Sequence, residues 1–122
     1  MDIISKVYNP EIPVELLVDL HEFGGVHTDE VGKPGMTDKQ IQELVPRIIL
    51  PSEIDLSEGW YKSPKKETDE EFRLRVRRVA QTLRDIAGTN EEDYTICMVS
   101  HSLFMNTFFT TLLCSEFLVE SK

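Results

Sequence analysis

The apolar residues Phe72, Val76, Val79, Leu83 and Ile86 follow one another at steps of four, three, four and three, which aligns them in one stripe along an α-helix. The stripe predicts a helix over residues 68–87 that packs one face on a sheet or on other helices. Thr68 and Glu71 form a capping box at its start, acids crowd its first turn, and Gly88 is placed to stop it. Arg73, Arg77, Arg78 and Arg84 fall mostly off the stripe. A shorter pattern of the same kind, Ile41, Leu44 and Val45 behind a Thr37/Gln40 capping box, predicts a helix that ends before Pro46. Two stretches follow a different plan. Residues 95–99, Thr-Ile-Cys-Met-Val, are β-formers between polar flanks and predict a strand buried on both faces. Leu103, Phe104, Phe108, Leu112 and Leu113 then recur at helical spacing. The apolar run from Val14 predicts a second strand, stopping at Glu22 just before Gly24 and Gly25. Residues 23–37 read as a long Gly- and Pro-containing loop, a usual form of mobile cover, and residues 47–66 as irregular. The fold class expected from these elements is α/β.

Both predicted strands end at a residue capable of acid–base or phosphate chemistry. His101 and Ser102 occupy a strand-to-helix turn, where the first N–H groups of the helix lack intrahelical partners and favour a phosphate or carboxylate. On this segment alone, a phosphate-contacting His101 and a His101 that merely caps the helix fit equally well. Glu22 repeats the plan, and the paired glycines after it allow a tight turn and close backbone approach to a ligand. Ligands of open α/β sheets bind beyond the carboxyl ends of the strands, so Glu22 and His101 are expected to converge on one crevice and share proton-transfer work. Trp60 is a candidate wall of that pocket, although an aromatic pair with Tyr61 that fastens an insertion to the core is the better fit to its surroundings.

Composition narrows the partners. A net charge of −9 and a pI near 4.7 disfavour nucleic acid and anionic membrane, whose phosphates would be repelled. Lys and Arg concentrate between Lys62 and Arg84, but interleaved acids make that band a solvated helix face. No run approaches the roughly 20 apolar residues of a membrane-spanning helix, and the first residues lack signal-peptide form. Cys97, in the predicted buried strand, and Cys114 have no metal or redox spacing and are expected to be reduced thiols in or near the core of a cytoplasmic protein. The length suits one domain.

Several segments, taken in order, resemble a known family. Leu20-His-Glu22-Phe-Gly-Gly25, Lys33-Pro-Gly-Met-Thr37, Glu58-Gly-Trp60-Tyr, Glu67-Thr-Asp-Glu-Glu-Phe72 with Arg75-Val, and Val99-Ser-His101-Ser look like successive landmarks of the histidine phosphatase superfamily, the phosphoglycerate mutase-like proteins, over about residues 13–113. The resemblance implies a three-layer fold with helices around a mostly parallel sheet. It also implies phosphoryl transfer or hydrolysis through a phosphohistidine, with no metal or organic cofactor. By that match Glu22 is the proton donor, His101 the second histidine that contacts the transferred phosphate, and Ser102 a phosphate contact where the family most often has glycine. Arg75 would turn inward toward Glu67 or an acid near the site, in a structural role. The family's nucleophile stands in an Arg-His-Gly motif, and no such motif occurs here; His21, His27 and His101 are the only histidines. The resemblance therefore implies a single partial domain over residues 1–122, lacking the first strand or strands and the closing strands, and inactive alone. Its ligand would be a phosphorylated small molecule or phosphoprotein, and an uncovered sheet edge would allow self-association.

Two other classes compete. One is a non-catalytic module that binds a phosphorylated ligand or another chain. The other is a metal hydrolase using His21, Glu22, His27 and His101; no His-Glu-x-x-His spacing exists, and residues 21 and 22 point to opposite faces if extended.

Overall fold

A computed structural model describes residues 11–89, 93 and 95–113. It is a mixed α/β structure with three α-helices among the described residues, and it divides into two units, Val26–Lys66 with the described residues up to 18, and Asp19–Gly25 with the described residues from Glu67 onward.

The first unit holds all the paired strands among the described residues. Strand β1 (Val14–Glu15) runs parallel to β4 (Ile48–Ile49), with Val14 opposite Ile48 and Glu15 opposite Ile49, and the Leu16 N–H extends the pairing to the Ile49 carbonyl at 2.9 Å. The predicted strand ending at Glu22 is therefore much shorter than its apolar run. Its partner is an isoleucine pair hemmed in by Pro46 and Pro51, and a strand can extend only as far as a neighbour offers ladder bonds. Beyond it, Val18–Leu20 tightens into a 3-10 turn. Part of the predicted loop also folds: β2 (His27–Thr28) and β3 (Val31–Gly32) make a hairpin across Asp29 and Glu30, with Asp29 at φ 53° in the left-handed region that such tight turns use.

Helix α1 (Asp38–Leu44) has the predicted capping box. The Gln40 N–H donates to Thr37 Oγ1, and the Thr37 N–H donates to Gln40 Oε1 at 2.9 Å. Ile41 turns inward with Leu56 and Tyr61, while Leu44 faces solvent. Trp60 behaves as a fastener. Its N–H donates to the Met36 carbonyl, its ring meets Tyr61 edge-on at 5.7 Å, and it lies so close over Gly35 that a Cβ there would come within 2.6 Å of Trp60 Nε1.

The second unit contains the aromatic core. Helix α2 (Asp69–Thr89) is the predicted long helix, entered through the Thr68/Glu71 capping box and running through Gly88 to Thr89, where no neighbour crowds the glycine and nothing forces an earlier stop. Phe72, Val76, Val79 and Ala80 are buried against Phe104 and Phe108 of α3 (Ser102–Leu113), with Leu20, Phe23, Leu83, Met98, Met105 and Leu112 packed around them. The Phe104 and Phe108 rings stack at 6.2 Å, and Phe23 tilts onto Phe72 at 5.1 Å.

Residues 95–100 depart most from expectation. They form no strand among the described residues, and Thr95, Ile96, Cys97 and Val99 are exposed where a strand buried on both faces was predicted. A β-forming run becomes a strand only beside another strand, and neither two-stranded sheet includes it. Cys97 is thus a surface thiol; Cys114 lies outside the described residues.

Phe104 is fully buried and Phe109 half exposed on the same helix. Phe104→Ala should lower the unfolding free energy by about 3–5 kcal/mol, and Phe109→Ala by about 0.5 kcal/mol, in urea titrations followed by circular dichroism.

Candidate functional site

The candidate residues of the second unit are organised by one buried ion pair. Arg75 stands two turns into α2 and Glu67 just before its cap, and both side chains are almost entirely removed from water. Arg75 Nε donates to Glu67 Oε1 and Nη2 to Oε2, each at 2.7 Å, in the bidentate geometry that matches a guanidinium fork to a carboxylate. Nη1 donates to the carbonyls of Asp19 at 2.6 Å and His21 at 2.8 Å. The guanidinium also lies over the rings of Phe72 and Phe104, at 5.1 and 5.4 Å from their centroids. Glu67 Oε2 accepts from the Gly24 N–H, and the Glu67 N–H donates back to the Gly24 carbonyl. Gly24 is buried at φ 93°, a conformation suited to glycine, so the close backbone approach expected of the glycine pair is made toward Glu67. Gly25, at φ 68°, closes a turn with its N–H on the Glu22 carbonyl.

Glu22 is held on both sides by these bonds, at His21 and at Gly24. Its Oε1 accepts from the Phe23 N–H at 2.8 Å and from the Phe104 N–H at 3.2 Å. Phe104 is the third residue of α3, so the carboxylate sits on the first turn of the helix that His101 precedes. One of the anion-favouring amides foreseen beside His101, that of Phe104, is met by Glu22 itself. The His101 carbonyl accepts the Met105 N–H at 2.9 Å, and its imidazole and Ser102 are exposed. The structure therefore brings together Glu22 and the turn bearing His101 and Ser102, although among the described residues neither stands directly at the end of a paired strand. Trp60 belongs to the first unit, in the fastening role already described.

Three contributors were not foreseen. The Phe104 amide has no side-chain signal in a sequence. Ser100 Oγ donates to the Leu20 carbonyl at 2.5 Å, joining the approach to His101 to the approach to Glu22. Arg78 reaches Asp19 at 3.4 Å in an exposed pair. For Ser100, its place directly before His101 was the available clue. His21 Nε2 lies 4.0 Å from Glu67 Oε1, while His27 is exposed on β2 of the first unit. Among the described residues, no group of three or more His, Cys, Asp or Glu side chains is arranged to hold a metal ion, which leaves the metal-hydrolase alternative without a ligand set. No helix among them is long and apolar enough to cross a membrane.

The chain matches no protein-family model, and searches of curated proteins and of solved structures yield no match.

Arg75→Met would leave the buried Glu67 carboxylate without its guanidinium partner and is expected to cost about 3–5 kcal/mol of stability, part of which Glu67→Gln in the same chain should restore. Arg78→Ala breaks only the exposed pair and should cost less than about 1 kcal/mol. Thermal and urea unfolding of the four proteins, wild type included, checks the ordering.

Proposed function

We propose that this chain carries the acid and second-histidine part of a histidine phosphatase-like site in a phosphoglycerate mutase-like α/β fold. The observation that carries the reading is the Glu22–Phe104 hydrogen bond, which joins residues 82 positions apart and sets the candidate acid on the helix turn that follows His101. These are the two residues the motif resemblance pairs in one reaction, and their convergence does not follow from either segment alone.

In this reaction a histidine attacks the phosphorus, the bond to the ester oxygen breaks, and an acid protonates the departing alkoxide. Water then attacks the phosphohistidine, the phosphorus–nitrogen bond breaks, and the same carboxylate takes the water's proton. The Phe23 and Phe104 N–H groups both donate to Glu22 Oε1, so Oε2 is the oxygen assigned to proton exchange. In this reading His101, exposed at the helix start, contacts phosphoryl oxygens together with Ser102, lowering the cost of charge on them. The phosphorylatable histidine of an Arg-His-Gly motif is missing from the sequence. The chain by itself is therefore a phosphate-binding half-site without its nucleophile. Its substrate class is a phosphate monoester, on a small molecule or a protein, in a reduced cytosolic setting.

The chain should hydrolyse para-nitrophenyl phosphate no faster than its His101→Ala variant, while binding orthovanadate at least tenfold more tightly than that variant in isothermal titration. Because the His101 side chain is exposed, the two proteins should melt alike. Turnover that disappears in His101→Ala would make His101 the nucleophile and defeat the half-site reading. Equal vanadate binding by the two proteins would remove His101 from the phosphate site.

A further inference from the structure

The carbonyls of three consecutive residues on the approach to Glu22 are each taken by a side chain from a distant segment. Arg75 Nη1 holds those of Asp19 and His21, at 2.6 and 2.8 Å, and Ser100 Oγ holds that of Leu20, at 2.5 Å. Arg75 belongs to α2 and is buried in its pair with Glu67. Ser100 belongs to the segment that delivers His101 and stands one residue before it. A second bond joins the same two segments on the other side of His101, from the Phe104 N–H to Glu22 Oε1 at 3.2 Å. His101 is thus bracketed by two cross-links to one loop, and its own carbonyl is taken by the Met105 N–H. Met98 also seats this segment on the aromatic core, but an apolar contact sets depth and has no preferred direction, whereas a hydrogen bond has one.

We propose that Ser100 is a positioning residue of the phosphate site: its hydroxyl fixes the spacing of His101 from Glu22, and it acts on a bound phosphate through His101. The inference rests on the half-site reading and adds to it a residue that the proposed chemistry does not use. The His101 side chain is exposed, so its place is set by its backbone more than by packing. A group that must meet a phosphoryl oxygen has to be held to a fraction of an ångström, and its supporting residues are what hold it. Ser100 suits that task because its hydroxyl sits on a single carbon. At 2.5 Å from the Leu20 carbonyl it keeps the two backbones close with little slack, and the Leu20 peptide is already gripped on both sides by Arg75. The loop fixed by the Arg75 and Glu67 pair is thereby the reference against which both Glu22 and His101 are placed.

Orthovanadate titration of the wild type, Ser100→Ala, His101→Ala and the double variant separates this role from a merely structural one. Ser100→Ala should weaken binding about three- to tenfold, the worth of one net hydrogen bond. Ser100→Thr keeps the hydroxyl and should restore it. In the His101→Ala background, Ser100→Ala should weaken binding no further, since its effect passes through the imidazole. A hydroxyl that only satisfied the Leu20 carbonyl would lower the melting temperature and leave the affinity of the folded protein as it was; that result overturns the proposal, as does an equal loss of affinity in both backgrounds. If Ser100→Ala fails to fold, Ser100→Cys, a weaker donor of similar size, carries the same expectations. Binding lost in His101→Ala but kept in Ser100→Ala defeats this inference alone, whereas equal binding by wild type and His101→Ala defeats the half-site reading and this inference with it.

Discussion

The bidentate pair between Arg75 and Glu67 is the constraint on which the second unit depends. Burying an arginine and a glutamate costs several kcal/mol per ion unless their hydrogen-bonding capacity is taken up. Here the capacity is spent on the chain's own turns: one Arg75 nitrogen holds the carbonyls of Asp19 and His21, and Glu67 exchanges two bonds with Gly24. The pair therefore fixes a loop as well as neutralising two charges. The Phe72 and Phe104 rings lie against the guanidinium, so the polar clamp and the aromatic core share a boundary, and a shift in one displaces the other.

The position of Glu22 follows from that clamp. With His21 and Gly24 fixed on either side, its carboxylate has a short reach, and within that reach lies the unsatisfied amide of Phe104 at the start of α3. Ser100 supports the same approach from the other segment through the Leu20 carbonyl. An exposed loop glutamate would spend its time in water; here the backbone is held from both ends and the carboxylate has two amides to accept from.

What was legible in the sequence was local. The Thr37/Gln40 and Thr68/Glu71 capping boxes, the stripe from Phe72 to Val79 and the termination before Pro46 depend on residues a few positions apart, and the structure contains each of them. The inward turn of Arg75 was expected from the motif resemblance, toward Glu67 or another acid, and the partner in the structure is Glu67. The strands were not legible, because a strand is a property of two segments. Residues 14–20 have a β-forming pattern, yet the run is limited by the prolines around Ile48 and Ile49; residues 95–99 have a stronger one and gain no ladder among the described residues. The same limit hid the Phe104 amide. Motif spacing could nominate Glu22 and His101, but only the fold could show that a carboxylate occupies the helix start foreseen as an anion site.

That occupancy bears on how the proposed site would handle phosphate. A phosphoryl group arriving at the first turn of α3 meets the negative charge of Glu22, and two unit charges at 4 Å repel by about 4 kcal/mol at an effective dielectric of 20. In the proposed cycle the acid that donates to the departing alkoxide stands at this same position. When the proton leaves with the alkoxide, the carboxylate regains its charge beside the phosphorylated group and is ready to take a proton from water. A glutamate seated on a helix start is thus suited to both halves of the proposed cycle.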